Sequence, residues 1–261
     1  MQPNAQDIDD LIEAAVEETR RDDDRTPSVV ALQGMGTPEG LARMLDLSLS
    51  PDPIRRRLAA CVLGQMHAPT QKCAGDRAFP EPACDALLHL LKDEDVGVMV
   101  EAIFALGHLR NHRCDTALAA LRHHQDSHVR YAIAFALCGG TSSVAVEALL
   151  ALMDDPYDRA RDWATTGIGH CPELDGPEIR TALLRRTADD DVFTRAEAMH
   201  GLARRRDARV LPPLLHALSS DHLVPHLFFD AALTYLGLEA DADIEDEDLM
   251  VLLRARMEKE N

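Results

Sequence analysis

The stretch that decides the fold is Asp126-Ser-His-Val-Arg-Tyr-Ala-Ile-Ala-Phe-Ala-Leu137, which runs on into Cys138-Gly139-Gly140. It opens with an acidic residue of the kind that caps helices, and its apolar side chains recur at helical spacing. Val129, Ile133 and Leu137 therefore share one face of a predicted helix. Similar lines recur along the chain, so this stretch is one copy of a repeat.

The repeat is clearest at one leucine-like position near the end of each predicted second helix. Successive copies are separated by 31, 43, 31, 31, 34 and 34 residues. An alanine lies four residues earlier in five copies, where a small side chain allows helices to pack closely. A glycine follows directly in four copies and predicts the end of the helix. The aligned residues are Leu32, Leu63, Leu106, Leu137, Ile168, Leu202 and Leu236.

Each of these helices follows an amphipathic, leucine-rich segment and an Asp-rich turn. The aspartates can accept hydrogen bonds from the free backbone N–H groups of the second helix and so cap it. The predicted unit is therefore helix, acidic turn, helix. First helices are predicted over residues 38–49, 81–91, 115–124, 143–153, 176–187 and 207–218.

Three lines carry a family resemblance: DSHVRYAIAFALCG from Asp126, DPYDRARDWATTGIG from Asp155 and DDDVFTRAEAMHGLA from Asp189. They resemble the HEAT repeat, in particular the short bacterial form named for phycobilisome-lyase HEAT-like repeats. The resemblance covers about residues 26–238. It implies an all-α fold, an α-solenoid or superhelical array of about seven helix pairs.

We expect a single HEAT-like domain over residues 1–261. Residues 1–35 form a degenerate N-terminal capping unit. The long interval of 43 residues places a loop insertion at 68–82, which is rich in proline and glycine. Residues 239–261 form an acidic linker and a C-terminal capping helix.

Composition narrows the location and the partners. No apolar run approaches the roughly 18 residues of a membrane span, and the first residues lack the pattern of a signal peptide. Six scattered cysteines without a Cys-x-x-Cys pair favour reduced thiols in a cytoplasmic protein. The net charge of −18 disfavours nucleic acid, although the two ends of the chain hold −12 of it. We expect a monomer that does not enter membranes.

The resemblance also indicates where a partner would bind, because the second helices of HEAT arrays line the concave face. The positions of those helices that point away from the core offer aromatic anchors and carboxylates, which suit a basic protein partner. The same aromatics would also fill gaps in an alanine-rich core, and both interpretations stay open. The candidate partner-binding residues are Glu101, Phe104, Tyr131, Phe135, Asp162, Trp163, Thr166, Glu197, His200, Asp230 and Thr234.

Recurrent arginines at the start of the second helices have a structural explanation. Arg130, Arg161 and Arg195 occupy one place in the unit, close to the Asp-rich turns. A ladder of arginine–aspartate contacts between neighbouring repeats explains them without a ligand.

No catalytic residues, cofactor or metal site are predicted. The phosphate-binding loop, the dinucleotide fingerprint and the nucleophile elbow are absent from the sequence. Three histidine pairs have helical spacing, but each straddles a predicted turn or helix start and lacks a completing ligand. The pairs are His108 with His112, His124 with His128, and His222 with His226.

The resulting function hypothesis is a non-catalytic protein-binding scaffold that sequesters a basic partner, for example in an immunity or antitoxin-like role. Two alternatives follow from enzymes that use HEAT-like scaffolds. One is a lyase or chaperone for a bilin-type cofactor, for which no residue marks a site. The other is a DNA-binding or DNA-repair protein, for which the arginine runs 55–57 and 204–206 are the only support.

Overall fold

The structure is a computed structural model that describes residues 5–21, 26–69, 77–219, 226–239 and 244–260. Within these ranges the chain forms fifteen α-helices and two short 3-10 helices, and no strand. By their internal packing the residues divide into two compact units, 1–136 and 137–261. The prediction of a single domain over the whole chain stays a prediction.

The first unit contains four helix pairs, the last of which ends at the unit boundary. Its helices are α1 (Ala5–Arg21), α2 (Pro27–Gln33), α3 (Pro38–Ser48), α4 (Pro53–Gln65), α5 (Pro80–Leu90), α6 (Val96–Leu109), α7 (Asp115–Ala120) and α8 (Ser127–Leu137). A 3-10 turn, His112–Cys114, leads into α7. The second helices α4 and α6 pack closely side by side.

The second unit contains three further pairs and a final helix. Its helices are α9 (Ser143–Leu152), α10 (Asp158–Gly169), α11 (Pro177–Arg186), α12 (Val192–Arg204), α13 (Leu211–Leu218), α14 (His226–Leu236) and α15 (Asp246–Glu260). The second helices again lie side by side, with α12 packed between α10 and α14. Across both units the described residues thus form the seven helix pairs and the C-terminal helix that the sequence predicts.

The aligned positions of the repeat form the core. Six of the seven leucine-like residues are buried, and Leu236 is half-buried. The alanines one turn earlier, such as Ala102 and Ala198, are fully buried between helices. Large apolar side chains and small ones therefore alternate along the second helices, which lets the helices pack at short range.

Aspartates of the turns cap several second helices as predicted. The side chain of Asp52 accepts a hydrogen bond from the N–H of Ile54, Asp95 from Val98, and Asp191 from Thr194. Each bond satisfies a backbone donor that the first helical turn leaves free. Helix α10 is an exception, because its N-cap residue is Tyr157, whose side chain does not cap the helix.

Of the four glycines that follow the aligned positions, two end their helices as predicted and two do not. Helix α4 continues past Gly64 and α6 past Gly107, so neither glycine ends its helix. A β-carbon added to Gly64 would lie 2.6 Å from the Cα of Ala105, far inside van der Waals contact. Glycine is needed there because two helices approach each other. Gly169 is the last residue of α10, and Gly237, with φ 76°, ends α14 in the left-handed conformation, so these two glycines follow the prediction.

Several predicted segment boundaries differ from the structure: α7 ends at Ala120, before the predicted residue 124, and α13 begins at Leu211, after the predicted residue 207. Helix α5 begins at Pro80, so residues 80–82 of the predicted insertion are helical. Proline fits the first turn of a helix because the N–H that it lacks would have no partner there. The rest of the insertion lies partly outside the described residues, as does residue Cys73. The sequence predicts a C-terminal helix that begins at Asp248, and the helix begins two residues earlier, at Asp246.

Within the described ranges, none of the helices combines the length and the apolar character that crossing a membrane requires.

Candidate functional site

Three neighbouring second helices of the second unit bring polar side chains together. His170 follows the last residue of α10, Glu197 and His200 lie one turn apart on α12, and Thr234 lies on α14. The Nε2 atom of His170 is 3.0 Å from a carboxylate oxygen of Glu197. The rings of His170 and His200 meet edge to face with centroids 5.8 Å apart. Nε2 of His200 lies 3.3 Å from the hydroxyl of Thr234.

Two glycines next to the histidines allow this approach. Gly169 precedes His170 and Gly201 follows His200, and a β-carbon on Gly201 would lie 2.8 Å from the Cα of Gly169. The helices α10 and α12 are therefore in backbone contact beside the imidazoles. No larger residue than glycine fits at Gly201 without moving the helices apart.

A buried arginine, Arg205, bonds to the backbone beside the two histidines. The guanidinium of Arg205 donates hydrogen bonds of 2.7–3.1 Å to the carbonyls of Ile168, Gly169, Cys171, Leu174 and Gly201. Its side chain is only 1% exposed. Burial lowers the pKa of this guanidinium, although the nearby carboxylate of Asp175 acts in the opposite direction. Arg205 thus ties the end of α10 to the end of α12.

Asp162, on α10, has a carboxylate oxygen without a hydrogen-bond donor in the part of the chain that the structure describes. Its Oδ1 atom is buried and has no hydrogen-bond partner among the described residues. Burial raises the pKa of Asp162 to about 6, and the carboxylate of Glu197 adds to the effect. The side chain is therefore held in an environment that disfavours its own charge.

His200 is the most enclosed of the predicted binding residues. The residue is 8% exposed, and its Nδ1 atom is buried with no hydrogen-bond partner among the described residues. Burial lowers the pKa of His200 to about 4, with a further contribution from the charge of Arg204. The imidazole is neutral at physiological pH as a result.

The other predicted residues of this unit are less engaged with one another. Asp230 on α14 pairs with His226 one turn away, at 3.2 Å. Trp163 and Thr166 are half-buried on α10. The unit thus brings Glu197, His200 and Thr234 into one connected group, in which His170 is the member that the sequence did not predict.

The predicted aromatic anchors of the first unit form a cluster of their own. The ring of Phe104 meets Tyr131 at 5.4 Å and Phe135 at 5.1 Å between centroids, both in edge-to-face arrangements. His108 packs on the other side of Phe135 at 5.4 Å. The three aromatic side chains are half-buried, so each keeps an exposed part. We call these three residues the aromatic cluster.

Glu101 lies on the same helix as Phe104, and its carboxylate is largely buried. Burial raises the pKa of Glu101, and the positive charge of Arg57 partly offsets this effect. The neighbouring thiol of Cys61 has its pKa raised to about 12, first by burial and then by the charge of Glu101. The five cysteines in the described part of the chain are free thiols, and those of Cys84 and Cys114 are in contact.

The recurrent arginines lie where the sequence places them, at the Asp-rich turns. Arg161 donates two hydrogen bonds to Asp189 of the next repeat, at 2.8 and 2.9 Å. Arg56 pairs with Asp93 in the same bidentate way. Arg130 and Arg195 each bond two carbonyls of the turn before their own helix. These bonds occupy the guanidinium groups within the protein.

Four of the six arginines in the runs that support a nucleic-acid hypothesis are engaged internally. Arg55 binds Glu13, and Arg56 binds Asp93. Arg205 is buried, and Arg206 donates to the carbonyl of Tyr235. A phosphate backbone requires exposed cations, and these side chains are committed to partners inside the protein.

The histidines that come together in the structure are not those that the sequence spaces in pairs. Within the described part of the chain, the one set of three His, Cys or acidic side chains close enough to share a metal ion is His170, Glu197 and His200. One ligand atom from each lies within 4.8 Å of the other two. His222, a member of one predicted pair, lies outside the described residues. The available sequence signal was Glu197-Ala-Met-His200, a spacing that puts both side chains on one helix face.

Comparisons with known proteins agree with this architecture. The family described as HEAT repeats matches residues 84–169 and, overlapping them, 146–224, which together exceed half of the chain. Protein YibA of Escherichia coli strain K12 is 28% identical over 135 residues. The matched region is 52% of this chain and 44% of YibA, so it spans less than half of that relative.

Solved structures show the same fold at low sequence identity. The X-ray structure of E. coli YibA superposes with a TM-score of 0.66 and 22% identity, covering 99% of each chain. A HEAT-like repeats protein from Thermococcus onnurineus NA1 gives 0.59 and 13%, covering 97% of this chain and 99% of that one. A designed armadillo repeat protein, solved in complex with the peptide (KR)4, gives 0.56 and 18%, covering 75% and 99%. The chain belongs to the HEAT-repeat family, and its fold class is the all-α, HEAT-like solenoid.

Proposed function

We propose that the protein is a non-catalytic binding module that takes positively charged side chains of a protein partner on its second helices. The proposed contact surface in the second unit is the acidic face, which we define as Asp162 on α10, Glu197 on α12 and Asp230 on α14. These three carboxylates lie on consecutive second helices.

Asp162 is the observation that carries the proposal. A buried carboxylate oxygen without a hydrogen-bond donor is costly, and proteins rarely keep one without compensation. A guanidinium or ammonium group of a partner would supply the missing donor and favour the ionised form. The raised pKa of Asp162 means that this gain is larger than it would be at an exposed carboxylate.

The aromatic cluster supports the same class of partner. Aromatic faces attract arginine side chains by cation–π contact and by stacking. Phe104, Tyr131 and Phe135 are half-exposed on second helices, and aromatic residues of this kind often carry much of the binding energy at interfaces.

A protein of the same fold offers a precedent for the chemistry. The designed armadillo repeat protein that shares the fold was solved with (KR)4, a peptide of alternating lysine and arginine. An immunity-type role, in which the module neutralises a basic toxin, is a specific case of the proposed function. The acidic net charge of −18 would accelerate the encounter with such a partner.

Fluorescence anisotropy with labelled (KR)4 tests the proposal on the full chain. The double variant Asp162→Asn/Asp230→Asn is expected to weaken binding by about tenfold or more, because two carboxylates of the acidic face are lost. The matched control is Glu147→Gln/Glu178→Gln, which removes the same charge from exposed positions of the first helices α9 and α11.

Equal weakening by both double variants would reduce the interaction to general charge attraction and overturn the proposed site. A Gly–Ser peptide of equal length that binds as well as (KR)4 would also contradict it. Tighter binding of a duplex DNA oligonucleotide than of (KR)4 would favour the nucleic-acid alternative instead.

A further inference from the structure

We propose that His170, Glu197 and His200 form a binding site for a divalent transition metal ion of the zinc type. The three side chains come from α12 and from the C-terminal end of α10. This inference does not depend on the proposed function, and its variants differ from those that test the acidic face.

The chemistry of the donor set favours zinc over the alkaline-earth ions. Two imidazoles and one carboxylate are a common set of protein ligands for Zn²⁺ sites that keep a fourth position open. Calcium and magnesium prefer sites made of oxygen ligands. The set also suits other first-row transition-metal ions that accept imidazole. The two nitrogen ligands therefore select against Mg²⁺ but not among those ions.

The geometry is close to that of a formed site. One ligand atom from each residue lies within 4.8 Å of the other two. Bond lengths of about 2.0–2.2 Å at a tetrahedral ion require ligand atoms about 3.4 Å apart. Nε2 of His170 and the Glu197 carboxylate already lie at 3.0 Å, so modest side-chain rotation would complete the set.

The second, independent observation is the state of His200. This residue is more than nine-tenths buried, and its Nδ1 atom has no hydrogen-bond partner within the described ranges. Its Nε2 atom lies 3.3 Å from the hydroxyl of Thr234. The proposal assigns the proton of the neutral imidazole to Nε2, which then donates to that hydroxyl and leaves the Nδ1 lone pair for the metal, as in many metal sites whose histidines are oriented by a second hydrogen bond.

The backbone around the site is held rigidly before any ion binds. Arg205 donates to the carbonyls of Gly169 and Gly201, the residues next to the two histidines. Those glycines are themselves in contact between the helices. Ligands carried on rigid elements lose little freedom on binding, which increases affinity.

Zn²⁺ titration of the untagged full chain by calorimetry, under reducing conditions, tests the inference. One Zn²⁺ per chain is expected at this site. His170→Ala is expected to weaken Zn²⁺ binding by about 100-fold, and Glu197→Gln by about tenfold or more. Even the loss of a group that only hydrogen-bonds to a metal ligand costs about 10–100-fold in metal affinity. Mg²⁺ is expected not to compete. The matched control is His123→Ala, an exposed histidine in the first unit.

His200 is buried, so its alanine variant could unfold, and the wild-type chain supplies a second measurement. Imidazole signals of His170 and His200 in NMR spectra are expected to shift together as Zn²⁺ is added. Co²⁺ substitution is expected to give no thiolate-to-metal absorption band, which separates this site from the cysteines. The inference is overturned if His170→Ala and Glu197→Gln bind Zn²⁺ like the control, if Mg²⁺ competes equally, or if the thiolate band appears.

Discussion

Arg205 and Asp162 of the second unit both place charged atoms in the protein interior, but among the described residues only Arg205 has hydrogen-bond partners for all of them. The guanidinium of Arg205 has five backbone carbonyls as acceptors, so its burial is compensated by hydrogen bonds. The carboxylate of Asp162 has an oxygen with no donor in the described structure. Arg205 therefore has a structural role, whereas Asp162 costs stability in the free protein. A group that is costly when free is a reasonable place to expect a partner.

Asp162 should make the stability of the protein depend on pH. Below about pH 3 the side chain is mostly protonated in the folded and the unfolded chain, so it costs little. As the pH rises towards the folded pKa of about 6, the unfolded chain ionises first, and stability is lost. Asp162→Asn is therefore expected to raise the free energy of unfolding in urea at pH 8 and to change it little at pH 4.

The groups that set this behaviour are all acidic: Glu197, Asp191, Asp158 and Asp189 add to the effect of burial on the pKa of Asp162. Glu147→Gln, at an exposed position of α9, serves as the comparison and is expected to show no such difference between the two pH values. An Asp162→Asn effect of the same size at pH 4 and pH 8 would show that the carboxylate is not destabilised by its surroundings.

At the scale of the helix, the packing of neighbouring second helices depends on glycine. Gly64 faces Ala105, Gly107 faces Ala136 and Gly201 faces Gly169, in each case with no room for a β-carbon. The repeat pattern includes Gly64, Gly107 and Gly169 but not Gly201, and it predicted them as helix ends and not as contacts between helices. A glycine after a leucine is compatible with a helix end and with a close helix contact, and only the path of the neighbouring helix distinguishes them.

Gly64→Ala gives a direct test of this packing. The added methyl group would lie 2.6 Å from the Cα and Cβ of Ala105, so α4 and α6 must move apart. We expect a loss of about 1–3 kcal/mol in the free energy of unfolding, the usual cost of overpacking. Chemical denaturation measures it.

Gly34→Ala is the control, because a β-carbon there would meet its nearest neighbours at ordinary distances of 3.4 Å or more. Alanine is a better helix former than glycine, so an unchanged or increased stability of the Gly64→Ala variant would show that the helices are not in the described contact.

At the scale of the molecule, the repeat made the fold predictable and the site only partly so. Aligned leucines and alanines report the core, because every copy must satisfy the same packing. A site consists of departures from the repeat, and those carry no periodic signal. Glu197 and His200 were predicted from their helix positions as partner-binding residues and not as metal ligands, and His170 was missed because it lies beyond the last residue of α10. Its approach to α12 depends on Gly169 and Gly201, which no spacing rule reports.

The charge of the whole chain predicts how partner binding responds to salt. With a net charge of −18, attraction of a basic peptide should weaken as added ions shorten the screening length from about 10 Å at 0.1 M to about 3 Å at 1 M. Anisotropy titrations of (KR)4 at low and high NaCl are expected to show this loss. The Asp162→Asn/Asp230→Asn variant should show a smaller salt dependence than wild type, and an affinity independent of salt would contradict a charge-based interface.

The contact between Gly169 and Gly201 has a consequence for how relatives of this protein diverge. Consider a relative that retains both histidines and the glutamate but carries a larger residue at the position of Gly201. Its α-carbon contact would then be lost, the helices would separate, and the imidazoles would no longer reach one ion. The proposed metal binding should therefore be lost with the glycine as surely as with a ligand, and a single codon change outside the ligand set would be enough to lose it.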